Sequence, residues 1–112
     1  MSRGKYLGEF EQLVLLAVAR LDDGAYGMSI RREIEARSGR HVAIGAVYAT
    51  LERLLDKRYV RAQKGDTSPE RDGRARKFFA LTASGADQLE EARGLQERMW
   101  AGLELRHGEG KA

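Results

Sequence analysis

Three groups of residues in this chain have types and spacings that could do chemistry. The first runs from Ile44 to Arg53. On a helix, Ala46, Ala49, Thr50 and Arg53 share a side, just after Ile44 and Gly45. Small side chains there let a helix backbone approach another surface closely. Alanine and threonine methyls can contact thymine methyls, and an arginine can read guanine or grip a phosphate. The second group is basic. Arg61 to Lys77 holds six cationic residues (Arg61, Lys64, Arg71, Arg74, Arg76 and Lys77) against three acidic ones. Such a patch suits a polyanion, and it is equally the composition of a solvated loop. The third group is apolar. Leu89, Ala92, Leu95, Met99 and Leu103 recur at helical spacing, with Trp100 beside them.

Bond-making chemistry is hard to assemble from the rest. The chain has no cysteine and two histidines, His41 and His107, far apart in sequence. That removes thiol catalysis and Cys-ligated metals. No HExxH, phosphate loop or nucleophile elbow occurs, and Ser29, Ser38, Ser68 and Ser84 have no evident base beside them. The expectation is a protein that is not an enzyme and carries no metal or cofactor. The longest apolar run, Leu13–Ala19, has seven residues, where a membrane helix needs about 20. The N-terminus does not read as a signal peptide, so a cytoplasmic location with no membrane partner is expected. At 112 residues and 42% hydrophobic, the chain suits one modest core. The net charge of +3 is unevenly spread: residues 1–80 carry 16 basic against 11 acidic side chains, and residues 81–112 carry 4 against 6.

The elements that would position these groups follow from periodicity and punctuation. Tyr6 to Leu21 predicts a helix, with Phe10, Leu13, Val14, Ala17, Val18 and Leu21 on one side and Leu15, Leu16 and Ala19 on another. A helix apolar on two sides is buried on two sides, the second against a partner subunit. Asp22-Asp23-Gly24 ends it. Tyr26 to Ser38 predicts a second helix, buried through Tyr26, Ile30 and Ile34 and capped by Gly39. Val42 to Lys57 predicts a third, buried through Val47, Leu51, Leu54 and Leu55. Tyr59–Lys64 and Arg76–Leu81 read as strands joined by a long tip, Gly65–Ala75, which holds Pro69 and Gly73. Phe78 and Phe79 alternate faces, so at least one belongs to the core. Thr82 can cap a last helix, which Gly94 and Gly102 weaken at about 1 kcal/mol each. The expected fold is mainly α with a small β-hairpin: a winged helix-turn-helix over 1–82, a dimerisation helix over 83–107 and a disordered tail over 108–112.

Read in order, several segments resemble the PadR-like bacterial transcriptional regulators. They are Tyr6-Leu7-Gly8-Glu9-Phe10-Glu11-Gln12, Tyr26-Gly27-Met28-Ser29-Ile30, Gly45-Ala46-Val47-Tyr48-Ala49-Thr50-Leu51-Glu52-Arg53-Leu54, and Pro69 through Thr82. Met99-Trp100-Ala101-Gly102-Leu103 resembles the end of a short subtype often encoded beside permease genes. Two positions depart from the family pattern: Ala43 stands where Ser usually caps the recognition helix, and Arg58 stands where Gly usually ends it. An arginine in left-handed geometry costs about 1–2 kcal/mol.

The resemblance implies a homodimeric repressor that binds double-stranded DNA at a pseudo-palindromic operator. Ile44, Gly45, Ala46, Ala49 and Thr50 would lie near base edges, and Tyr48 and Arg53 near flanking phosphates. Arg74, Arg76 and Lys77 would hold the backbone or minor groove. Tyr48 is equally suited to packing on the second helix, Arg53 to pairing on its own helix, and Ile44 to the core. Leu15, Ala19, Leu89, Ala92, Leu95, Met99 and Leu103 would form the dimer interface. Trp100 and Met99, with Leu15 and Ala19, would either line a pocket for a small apolar effector or fill that interface. A winged helix that binds protein is the alternative, and RNA binding a third reading that lacks aromatics interleaved with basics on a sheet.

Overall fold

A computed structural model of the chain describes residues 6–67 and 75–107. The elements in order are α1 (Glu9–Leu21), a 3-10 turn (Asp22–Gly24), α2 (Gly27–Ser38), α3 (Ile44–Asp56), β1 (Val60–Thr67), β2 (Ala75–Leu81) and α4 (Ala83–Trp100). Helix α1 begins at Glu9, later than the periodicity suggests, because Gly8 is its N-cap: Gly8 is extended and its N–H donates to the Glu11 carboxylate at 2.9 Å. A carboxylate three residues into a helix satisfies a donor that the first turn leaves orphaned. Gly39 ends α2 at φ 73°, as its type and position predict.

The core lies where α1, α2 and α3 meet under the hairpin. It is built from Val14, Leu15 and Val18 of α1, Ile30 and Ile34 of α2, and Val47, Leu51 and Leu54 of α3, closed by Val60 and Phe79. Leu15 is fully buried in this core. Its expected place in a subunit interface is therefore corrected: within one chain α1 packs against α2, α3, β2 and α4, and Leu15 is covered along with Val14. The exposed apolar side of α1 belongs to Leu16 and Ala19.

Strands β1 and β2 pair antiparallel, from Val60 opposite Leu81 to Thr67 opposite Ala75, with an irregularity between Lys64 and Thr67. The strands reach further toward the tip than sequence punctuation suggests. The Phe79 N–H donates to the Ala25 carbonyl at 2.8 Å, and Tyr26 bridges to Phe78, so the hairpin docks along the start of α2.

Helix α3 ends in a six-residue Schellman turn. The Arg58 N–H donates to the Leu55 carbonyl and the Tyr59 N–H to the Leu54 carbonyl, at 3.0 and 2.9 Å. Arg58 takes the left-handed position at φ 65° where a glycine would be unstrained. Its carbonyl accepts from the Thr82 hydroxyl at 2.7 Å and from the Ser84 hydroxyl at 3.2 Å. The Tyr59 carbonyl accepts from the Thr82 N–H at 3.1 Å. The Thr82 hydroxyl also accepts from the Gly85 N–H at 3.0 Å, which makes Thr82 the N-cap of α4. Gly85 is buried, and a Cβ there would overlap the Tyr59 carbonyl oxygen.

Beyond that joint α4 is sparsely covered, and Gly85 is its buried residue. The helix stops at Trp100, short of the expected 107: Ala101 leaves helical geometry, and Gly102 turns at φ 76°. The Leu103 N–H closes the turn on the Trp100 carbonyl at 2.8 Å. The expected tail, 108–112, lies outside the described residues. Arg58→Gly should raise stability by about 1 kcal/mol by removing left-handed strain, a rise of roughly 5 °C in thermal denaturation. Gly85→Ala should cost about 1–3 kcal/mol, because its collision is with backbone.

Candidate nucleic-acid interface

Helix α3 presents one small-residue surface. Gly45, Ala46 and Ala49 are exposed, and Tyr48 is 49% exposed. The Tyr48 phenol packs where a Cβ on Gly27 would stand, which explains why α2 opens with glycine. Tyr48 thus packs on α2 while keeping half its surface outward. Ile44 is half-buried against the core. Glu52 and Asp56 are exposed further along α3, on either side of Arg53 in sequence, so the uncharged exposed surface is confined to the first turns.

Thr50 is not on that surface. It is 2% exposed, and its Oγ1 accepts from Arg53 Nη2 at 3.1 Å. The expectation that Thr50 meets base edges is corrected: one helical step of about 100° past Ala49 carries it into the core beside Leu51. Arg53 is held from both sides, by Thr50 and by Glu11 Oε2, which lies 3.5 Å from its Nε. Neither Glu52 nor Asp56 is its ion-pair partner.

Glu11 is the buried carboxylate behind α3. One oxygen accepts from the Gly8 N–H, and the other lies 2.9 Å from Lys57 Nζ. Burial pushes its pKa up, but the Gly8 N–H, Lys57 and Arg53 outweigh that, and the group sits below its ordinary value of 4.5. Glu35 plays a parallel part before α3. It accepts from the Val42 N–H at 2.8 Å and lies near Arg31 and His41. The Val42 bond leads the causes that lower its pKa. Because Ala43 offers no side-chain cap to α3, Glu35 and Glu11 fix the helix from its two ends.

On the hairpin, the Arg76 guanidinium stacks 3.9 Å from the centroid of the Tyr26 ring, and Lys77 is exposed near Phe79. Arg74 lies outside the described residues. Sequence reading missed Arg32, whose Nη2 donates to the Tyr26 hydroxyl at 2.9 Å. Its signal was weak, since it sits amid an evenly charged helix. Among the described residues of the first three helices and the hairpin, Arg20, Arg31, Arg37, Arg40, Arg53 and Lys57 each lie within ion-pair distance of a carboxylate. Arg32, Arg58, Arg61, Lys64, Arg76 and Lys77 have no such partner among the described residues.

On α4 and just beyond it, Leu95, Met99, Trp100 and Leu103 are exposed, Met99 at 71%. Leu89 and Ala92 are half-buried and, with Leu16 and Ala19, line a cleft of about 300 Å³ between α1 and α4. Met99 and Trp100 stand on the last turn of α4.

Three helices followed by an antiparallel hairpin docked at the start of α2 make this a winged helix-turn-helix protein. Residues 15–91 match the family described as Transcriptional regulator PadR-like family, and the chain belongs to that family. Its members are regulators of transcription, not enzymes. Similar solved structures include a PadR family transcription regulator from Clostridium difficile, 24% identical, covering 84% of this chain and 92% of that one, with TM-score 0.65. A PadR-like transcription factor from Bacteroides fragilis is 21% identical, with 80% and 82% covered and TM-score 0.69. The winged-helix DNA-binding protein F93 from STIV is 21% identical, with 89% and 100% covered and TM-score 0.67. No curated protein matches the chain. Among the described residues, no helix is long and apolar enough to cross a membrane.

The pKa of Glu11 is lowered on folding, so its contribution to stability is present above 4.5 and is lost as pH falls through the lower folded value. Glu11→Gln should cost about 1.5–3 kcal/mol at neutral pH. Chemical denaturation across the acid range should then show a flatter loss of stability in the variant than in wild type.

Proposed function

We propose that the protein is a homodimeric repressor that reads a pseudo-palindromic DNA operator with α3 and holds the backbone with its hairpin. The observation that carries this reading is the sorting of charge. Among the described residues, most cations at the joints between α1, α2 and α3 are neutralised, whereas Arg32, Arg58 and, on the hairpin, Arg61, Lys64, Arg76 and Lys77 have no carboxylate partner. Unpaired cations beside an exposed run of Gly45, Ala46 and Ala49 suit a helix whose first turns lie in a major groove. The similar fold of F93, a DNA-binding protein by its description, agrees with it.

In this reading Ile44, Gly45, Ala46 and Ala49 lie near base edges, Tyr48 and Arg53 near flanking phosphates, and Arg74, Arg76 and Lys77 along the backbone. A second copy covers Leu16, Ala19, Leu89, Ala92, Leu95, Met99, Trp100 and Leu103, and places two reading heads about 34–36 Å apart. Trp100 then fills the seam. A small apolar effector acts only by binding one spacing of the heads better than another, and the seam is the place where it could do so. The protein works in the cytoplasm, where its DNA is.

Fluorescence anisotropy on labelled duplex from the protein's own upstream region, beside scrambled duplex, tests the reading. Arg76→Ala and Lys77→Ala should weaken binding to both duplexes about equally, each lowering the salt slope by about 1. Ala49→Asn should alter preference at individual base pairs, by about 1–3 kcal/mol each. Wild type that binds neither duplex would overturn the DNA reading. For the dimer, Leu95→Glu combined with Met99→Glu should sediment as a monomer where wild type sediments as a dimer. A wild-type monomer would overturn that part.

A further inference from the structure

One aromatic ring gathers two of the unpaired cations. Arg76 of β2 stacks over the face of Tyr26, 3.9 Å from its centroid, and Arg32 of α2 reaches the same residue through the phenol oxygen at 2.9 Å. The Arg32 guanidinium carbon lies 5.9 Å from the ring centroid. Two positive charges share one ring, each attracted to it, and their mutual repulsion favours an anion placed near both. Among the described residues neither arginine has a carboxylate partner. An arrangement of this kind is completed by an anion.

The ring itself is fixed. The Phe78 ring meets it edge-on, with centroids 5.6 Å apart and planes at 83°. The Tyr26 N–H donates to Ser29 Oγ at 2.9 Å, and that hydroxyl donates to the Gly24 carbonyl at 2.6 Å. The next residue, Gly27, carries the Tyr48 phenol against it. The corner therefore joins α2, the hairpin and the exposed side of α3. Guanidinium N–H forks match the oxygens of phosphate as well as those of carboxylates, and next to the exposed side of α3 the anion that the DNA-binding reading supplies is a backbone phosphate.

We propose that Arg32 and Arg76, held on Tyr26, form one clamp for a DNA backbone phosphodiester, with Tyr26 as its positioning residue. The clamp rests on the DNA-binding reading above. It adds Arg32 as a phosphate ligand and makes a tyrosine, not only cations, a determinant of affinity.

The test uses the full chain, the upstream and scrambled labelled duplexes, and a series of sodium chloride concentrations. Arg32→Ala should weaken binding to both duplexes by about tenfold and lower the log–log salt slope by about 1. Tyr26→Leu leaves the net charge unchanged and should still weaken both duplexes severalfold. Tyr26→Phe keeps the ring for Arg76 and removes the oxygen that holds Arg32, so its loss should be smaller than that of Tyr26→Leu. Circular dichroism checks each fold; should Tyr26→Leu not fold, Tyr26→Phe and Arg32→Ala decide the matter. Wild-type affinity and salt slope in Arg32→Ala, with wild type binding DNA, would overturn the clamp and leave the DNA reading standing. A change in sequence preference without a uniform loss would also overturn it, since that marks base readout. Wild type binding neither duplex would overturn the DNA reading and the clamp with it.

Discussion

The backbone turn at Arg58 and Tyr59 is the constraint on which the rest of the molecule depends. Within those residues the chain must leave α3, enter β1 and receive the start of α4. The left-handed Arg58 makes this possible by sending its own carbonyl to the Thr82 and Ser84 hydroxyls, while the Tyr59 carbonyl takes the Thr82 N–H. Gly85 lets α4 come close enough for those bonds. The end of α3, the root of the hairpin and the cap of α4 therefore share one set of hydrogen bonds. The joint between α3 and α4 is made by these hydrogen bonds, so whatever orients one helix orients the other.

Electrostatics works to the same end from inside. Glu11 is a buried carboxylate that ties the cap of α1 to Lys57 and Arg53 near the end of α3. Glu35 ties α2 to the loop just before α3 through Val42. A buried charge is costly unless paired and hydrogen-bonded, and Glu11 meets both conditions. The pairing also neutralises cations at the inner joints, and among the described residues it leaves Arg32, Arg58 and the hairpin's Arg61, Lys64, Arg76 and Lys77 without a carboxylate partner.

Much of this was legible in the sequence. Ile30 and Ile34, then Val47, Leu51 and Leu54, repeat at helical spacing, and the structure buries them. Gly39 was readable as a cap, and one of Phe78 and Phe79 as core, which the structure shows to be Phe79. The misreadings share a cause. Leu15 and Leu16 sit in an unbroken apolar run, Leu13–Ala19, where periodicity cannot say which faces inward. Thr50 adjoins Ala49, and its inward turn is set by how α1 and the core meet α3, which no local pattern encodes. Gly102 showed as a weak point, but its φ decided between a kink and a stop. The partnerships that shape the candidate interface are distant in sequence: Glu11 with Lys57, Thr82 with Arg58, Arg76 with Tyr26. Residue types alone do not announce such pairs.

The sparse cover on α4 has a consequence for how much of the protein a cell must hold. An 18-residue helix is only marginally stable on its own in water. Here it is anchored at its first turn and bare at its last. If a second copy covers it, as in the dimer proposed above, the order of its far end becomes a matter of mass action, and stability would rise with the protein's own abundance. Occupancy of a two-headed site then grows more steeply than copy number. A modest change in synthesis or dilution would switch the bound state sharply, with no ligand involved.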